Sequence, residues 1–348
     1  MKKGLVAVVI GLVVAISIIG YFFANTYAQK RAKAEVESFL KEANLEGDVN
    51  YKTLKANIFS KSVKLEGVQW DIQNTKQTVG ELNIKTLTIS GNPKESFTVK
   101  MENIELINLN SDSPTELIGK PLFEAKNGYW DVKRSDGNMD IRFSLDDIKL
   151  NKMLINSLVK EEKQAKEIMT KVLRLDNPIY IKAHYIINKD KGILNIDKYQ
   201  IDFKNNLKVS YSFYVTNIDY QGFENVAKQL RSNKGDPLMV LSLLSKLYTM
   251  KPINLSFSIT NEGVVDRALD FIKKETNTSK DQLRQQLSAS LNNTPFLGYE
   301  KPIENFITSD SDKITITIEN PRKLSVADLI TTLKTQPVLK VFKVDISN

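Results

Sequence analysis

The single histidine of the chain is the first residue to consider for chemistry. His184 lies between Ala183 and Tyr185, on the polar side of a stretch that alternates apolar and polar residues. A histidine can act as a general base near neutral pH when a nucleophile is held beside it. Nothing in the neighbouring sequence resembles a positioned nucleophile. The pattern therefore favours a half-exposed strand residue over a catalytic base.

Paired carboxylates are the second candidates, for acid–base chemistry or calcium binding. Asp146 and Asp147 are adjacent, so in a strand they would face opposite ways. Asp310 and Asp312 stand in a turn, but this turn lacks the Gly and the distal Glu of an EF-hand loop. Both pairs are better explained by turn formation and helix capping.

Counting residues excludes several kinds of site. With one histidine and no cysteine, the chain can form neither an HExxH zinc helix nor a thiolate site. The sequence has no GxGxxG, GxxxxGK[ST] or GxSxG motif. We therefore predict no catalytic residues, no cofactor and no metal, and a chain that is not an enzyme. The net charge of +8 is spread along the chain, which argues against nucleic acid as a partner.

An uninterrupted apolar run at residues 4–24 predicts a transmembrane helix. The run has no charge and no proline, and its length matches the hydrocarbon core of a bilayer. Lys2 and Lys3 precede it, and aromatic residues mark its C-terminal end. The alternative is a secretory signal cleaved near Ala28. We expect a single pass through the inner (cytoplasmic) membrane, with a cytoplasmic N terminus and the bulk of the chain in the periplasm.

The rest of the chain predicts an α+β fold. Residues 1–28 would be the transmembrane anchor, 29–46 a helical stalk, 47–178 a β-rich domain ending in a helix, and 179–348 a C-terminal α+β domain that continues the sheet. Period-two patterning predicts a large curved, mainly antiparallel sheet with several helices packed on it. Ile84 and Leu87 break the alternation and indicate a bulge.

Several elements have clear boundary signals. Asp146 to Leu175 has helical periodicity, and residues 181–215 predict two hairpins, the second turning at Asn205-Asn206. Residues 223–231, 238–250, 264–274, 279–291 and 326–333 are predicted helices. Pro237 suits the first turn of one of them, and Ser279 with Gln282 has the spacing of a capping box.

One apolar surface of the N-terminal sheet is a candidate lipid groove. Its predicted lining comprises Val63, Leu65, Trp70, Ile72, Leu82, Ile84, Leu87 and Ile89. The alternative is that helices of the same chain cover this surface and make it core. Trp70 and Trp130 fit either case, because tryptophan is often partly buried.

Segments from both halves resemble a known family. Residues 49–74 (VNYKTLKANIFSKSVKLEGVQWDIQN) and 80–90 (GELNIKTLTIS) resemble the N-terminal β-repeats of AsmA-like and YdgA-type bacterial envelope proteins. Residues 253–271, 279–287 and 314–330 resemble the C-terminal part of uncharacterised relatives of that group. The resemblance implies a curved sheet tethered to the inner membrane, with a role in lipid handling or envelope homeostasis.

Two functions from different classes follow. The first is a membrane-anchored, non-enzymatic protein of the cell envelope that binds lipid or another amphiphile in an apolar groove formed by the sheet. The alternative is a protein–protein interaction scaffold at the membrane, with an envelope protein as its partner. The bilayer itself is a predicted partner through residues 4–24.

Overall fold

The chain forms a large, open antiparallel sheet with several helices, which confirms the predicted α+β class. A computed structural model describes residues 33–34, 36–37, 47–57, 61–74, 77–92, 95–111, 113–135, 137–158, 163–223, 225–226, 237–292, 299–308 and 311–348. The predicted anchor at 4–24 and most of the stalk lie outside these residues. Within them, no helix is long and apolar enough to cross a bilayer. The transmembrane helix stays a prediction.

Thirteen strands occur in the described part of the chain. They are β1 (Val49–Asn50), β2 (Thr53–Asn57), β3 (Ser62–Asn74), β4 (Gln77–Asn92), β5 (Ser96–Asn108), β6 (Pro121–Ser135), β7 (Asn138–Leu150), β8 (Ile179–Asn188), β9 (Ile193–Phe203), β10 (Leu207–Thr216), β11 (Lys251–Asn261), β12 (Lys313–Glu319) and β13 (Lys343–Ser347).

The helices cluster after β7 and in the C-terminal half. They are α1 (Lys152–Leu158), α2 (Lys163–Glu167), α3 (Pro237–Thr249), α4 (Val264–Thr276), α5 (Lys280–Asn292), α6 (Glu300–Thr308), α7 (Val326–Leu333) and α8 (Val338–Val341). A π-helical turn, Ile168–Val172, follows α2, and a 3-10 turn, Thr115–Leu117, precedes β6.

The described residues up to Ser135, together with 141–182, form one compact unit, and the described residues of 137–140 and 183–348 form a second. In the first unit β1, β3, β4, β5, β6 and β7 follow one another in the sheet, and β2 also pairs with β3. One face of this sheet is densely packed. Val63, Ile89, Val99 and Trp130 lie opposite one another on four strands, and none is more than 6% exposed. Leu117, Ile155 and Val172, from helical segments, are also buried.

The predicted break in alternation between Ile84 and Leu87 is real and crosses several strands. Leu65 and Val68 on β3, and Met101 and Ile104 on β5, are likewise buried three residues apart. The register does not shift there, because Ile84 pairs with Val68 and Ile104 while Leu87 pairs with Leu65 and Met101. Gly67 and Asn103 have positive φ angles of 63° and 52° at the break. Matched irregularities on neighbouring strands therefore keep one face apolar throughout.

The predicted helix start at Asp146 is wrong, because β7 continues to Leu150. Asp147 has a positive φ of 56°, and it places Leu145 and Ile148, three residues apart, on the buried face. An i, i+3 pair of buried residues is also the signature of a helix, so the irregular strand imitated helical periodicity. The helical residues begin at Lys152.

The second unit contains β9 to β13 in sequential order, and its elements match most predicted boundaries. Phe203 pairs with Leu207 across a three-residue turn in which Asn205 has a φ of 56°. α3 begins at Pro237, and Ser279 forms a capping box with Gln282. Helices α6 and α8 were not predicted, and most of the predicted helix at 223–231 lies outside the described residues.

Candidate functional site

The eight predicted groove residues lie on β3 and β4, and most of them are core. Six are buried, while Trp70 and Ile72 are half-buried. Gly128 shows how tightly this face is filled, since a Cβ at this position would lie 2.6 Å from Cε of Met101 and 3.0 Å from Cδ1 of Ile104. A methyl group does not fit there without movement of its neighbours.

The sheet of the second unit carries a different kind of apolar surface, which we call the apolar face. Cross-strand register aligns its side chains in three rows that run across the strands. The first row is Tyr199, Tyr211, Phe257, Ile316 and Ile346. The second is Ile196, Phe213, Leu255, Ile318 and Val344. The third is Ile201, Val209, Ile259 and Ile314.

Side chains in these rows are accessible to solvent, unlike those of the first unit. None of the fourteen is buried; Leu255 is 38% exposed and the others are half-buried. The corresponding rows on β3 to β6 are almost completely buried, although both sheets have the same alternating pattern. Adjoining apolar side chains that stay partly exposed form a patch, and large exposed apolar patches often mark binding sites.

Tyrosines mark one end of the first row. The rings of Tyr199 and Tyr211 are stacked, with centroids 4.8 Å apart. Burial raises the pKa of both, and it raises the pKa of Tyr185 on β8 to about 12. These phenols are therefore neutral near pH 7 and can donate a hydrogen bond. This end of the apolar face is where a ligand's polar group could be recognised.

The opposite face of the same strands is polar. Ser256 lies 3.4 Å from Thr317, and Ser258 lies 3.0 Å from Thr315, hydroxyl to hydroxyl. These hydroxyls satisfy one another across β11 and β12. The contrast between the two faces fixes which side of this sheet could take an apolar ligand.

A pocket of about 420 Å³ lies at the far end of the second row. It is lined by Tyr299, Pro321 and residues 339–344, and it includes the side of Val344. The Tyr299 hydroxyl donates to the Val344 carbonyl oxygen and ties α6 to β13. The volume falls within the range of small-molecule sites, about 300–1,000 Å³. One residue of the second row, Val344, therefore lines a shallow, open pocket.

His184 is held by carboxylates on both sides. Nδ1 lies 3.0 Å from Oδ2 of Asp197, and Nε2 lies 3.2 Å from Oδ1 of Asp140. The imidazole is 27% exposed. Because each ring nitrogen already faces a carboxylate, neither is directed at a serine or threonine hydroxyl. This geometry suits a structural role, in which His184 on β8 links Asp140 on β7 to Asp197 on β9.

The remaining sequence candidates add no cluster to these sites. Asp146 and Asp147 lie in the irregular part of β7, and Asp310 lies outside the described residues. Among the residues that the structure describes, no three His, Asp or Glu side chains are arranged to hold a metal ion.

The sequence patterns predicted the strands at 194–215, 253–259 and 314–318. They did not identify the face that these strands share as a site. Alternation alone does not report whether an apolar face is covered.

Comparisons with known proteins match part of the chain to a family model whose description names no activity. A family model described as "Uncharacterized protein" matches residues 200–348. This range contains the last four residues of β9, all of β10 to β13 and helices α3 to α8, and so most of the apolar face. No curated protein matches the chain.

Proposed function

We propose that this chain is a membrane-anchored, non-enzymatic protein of the cell envelope that binds the acyl chain of a lipid or another amphiphile on the apolar face of its second unit. The observation that carries this proposal is the accessibility of all fourteen side chains in the three rows. The predicted anchor at residues 4–24 would keep such a protein beside its source of lipid.

The dimensions of the apolar face suit a long hydrocarbon chain. The first row crosses five strands, and with the usual strand spacing of about 4.8 Å it extends about 19 Å. Each methylene removed from water contributes about 0.8 kcal/mol. A single chain lying along one row would therefore gain enough to bind without any covalent chemistry.

The polar end of the ligand would lie at the tyrosines. Tyr199 and Tyr211 stand at the start of the first row, and phenol hydroxyls can donate to ester, carboxylate or phosphate oxygens. Across the sheet, Val344 at the end of the second row lines the pocket beside β13, which would take the chain terminus. The ligand class is thus an amphiphile with one long chain and an oxygen-bearing headgroup.

A charge placed on the apolar face tests the proposal. Phe257→Glu puts a carboxylate in the middle of the first row, where an acyl chain would have to desolvate it. Thr260→Glu is the matched control, because it lies on the same strand with Lys208 and Lys313 as its cross-strand neighbours. The readout is the amount of releasable lipid per protein, measured by extraction and mass spectrometry on the full chain after detergent exchange.

We expect Phe257→Glu to lower lipid occupancy at least tenfold and Thr260→Glu to leave it unchanged, with both variants folded by circular dichroism. Equal occupancy in the two variants would contradict an acyl site on this face. If the wild type retains no lipid after detergent exchange but co-purifies reproducibly with one envelope protein, the scaffold alternative is favoured.

A further inference from the structure

A second group of exposed apolar side chains lies on the helices of the second unit, and one of them, Leu339, also lines the pocket beside β13. We call this group the docking surface and define it by Leu241, Leu244, Tyr248, Ile330, Leu333 and Leu339. Their exposed fractions range from 38% to 61%. They occur on α3, α7 and α8, three successive neighbours in the fold.

The helices that carry the docking surface are fixed to one another. The Val326 amide at the start of α7 donates to the Met250 carbonyl after α3, at 2.9 Å. Buried Asn320 donates to the carbonyls of Pro252 and Leu324, both at 2.8 Å, and accepts from the Leu324 amide. The exposed side chains therefore project from helices that hydrogen bonds hold in place.

The charge along α7 and α8 has one dominant sign, while on α3 Lys246 is paired with Asp219. Between Pro321 and Val341 the chain has four basic residues, Arg322, Lys323, Lys334 and Lys340, and all four are exposed. Asp328 is the one acidic residue in that range, and its carboxylate accepts from the Ser325 hydroxyl and amide in a capping box. Helix α3 contains no acidic residue.

From this combination we infer that the docking surface rests on an anionic lipid bilayer. Exposed leucine, isoleucine and tyrosine side chains bordered by lysine and arginine are typical of helices that lie in a membrane interface. The basic residues complement the negative surface potential of anionic lipids, while the apolar side chains enter the boundary between headgroups and acyl chains. The inference rests on the helices and their charges, and it is independent of whether the sheet binds an amphiphile.

A protein partner is the competing occupant. It would need an apolar groove with an acidic rim, whereas a bilayer needs only anionic headgroups. Lys334 and Lys340 directly follow Leu333 and Leu339 in the sequence, and all four are exposed, so positive charge and apolar surface lie close together. This arrangement favours a lipid surface.

The absence of cysteine from the sequence permits a site-specific test on the full chain. Single variants Ile330→Cys and Leu339→Cys would carry an environment-sensitive fluorophore, and Lys198→Cys on exposed β9 would be the control. The labelled proteins would be reconstituted in phosphatidylcholine vesicles with or without phosphatidylglycerol, with a quencher attached to lipid acyl chains. Because the control protein has the same predicted anchor, a difference in quenching between the labelled sites reports on the docking surface alone.

We expect quenching at Ile330→Cys and Leu339→Cys to exceed that at Lys198→Cys at least threefold in anionic vesicles. Adding Lys334→Glu and Lys340→Glu should remove most of the difference, as should high salt. Quenching no greater than that of the control would overturn the inference. So would a shift of the two fluorophores that appears on adding envelope extract in the same detergent and not on adding anionic lipid, which would identify a protein as the occupant.

Discussion

Tyr199 stacks on Tyr211 across two neighbouring strands of the second unit, with 4.8 Å between ring centroids and 21° between ring planes. The pair begins a row of apolar side chains that continues through Phe257 to Ile346. Burial raises the pKa of both phenols, so the stack presents neutral hydroxyls beside an accessible apolar surface. One polar end and one long apolar row together match the two parts of an amphiphile.

The raised pKa of Tyr185 predicts a loss of stability in alkali. Its pKa in the folded protein, about 12, lies above the ordinary value of 10.0, so the unfolded state loses the phenol proton first as pH rises. The free energy of unfolding should fall between about pH 10 and pH 12, by roughly 2 kcal/mol for this residue. Urea denaturation at several pH values should show a shallower decline in Tyr185→Phe than in the wild type. An identical decline would contradict the assignment.

Two matched isoleucines test the difference between the packed and accessible faces. Ile89 is 2% exposed on β4, and Ile316 is half-buried on β12. Ile89→Ala should cost roughly 2–5 kcal/mol in the free energy of unfolding, because it leaves a cavity. Ile316→Ala should cost less than about 2 kcal/mol, since less apolar area is lost. Equal costs in chemical denaturation would mean that the apolar face is as well covered as the first core.

Gly128 tests whether the face of the first unit has space for a ligand. A Cβ at this position would lie within 3.1 Å of Met101, Ile104 and Leu145. Gly128→Ala should therefore destabilise the protein by about 1–3 kcal/mol through overpacking. If the face were an open groove, alanine would be neutral or slightly stabilising, because it restricts the unfolded chain. Thermal and urea unfolding distinguish the two results.

His184→Ala separates a structural role from a catalytic one. The imidazole contacts Asp140 and Asp197 at the protein surface, and exposed pairs of this kind contribute up to about 1 kcal/mol each. We expect a small loss in the free energy of unfolding, unchanged lipid occupancy and full complementation of a null strain. Loss of complementation by a folded His184→Ala protein would revive the enzyme hypothesis.

Local chemistry made much of the fold predictable. Asn205 tolerates a positive φ, and Pro237 suits the start of a helix; both determined element boundaries that the structure confirms. Ile148 and Leu150 were wrongly predicted to be helical, because they precede Met153 and Leu154 at near-helical spacing although they belong to β7. Sequence patterning could not distinguish the accessible face from the packed one, since Ile89 and Ile316 occupy similar alternating patterns and differ in how exposed they are.

Photo-crosslinking with a fatty acid that carries a diazirine in mid-chain tests the central claim most directly. The probe would be added to the full chain in detergent, and the crosslinked peptides would be mapped by mass spectrometry. The proposed function predicts adducts on β10, β11 and β12, concentrated near Tyr211, Phe257 and Ile316, and competed by unlabelled fatty acid. Adducts confined to residues 4–24 or to β3 and β4, or no competed adduct in the second unit, would contradict it.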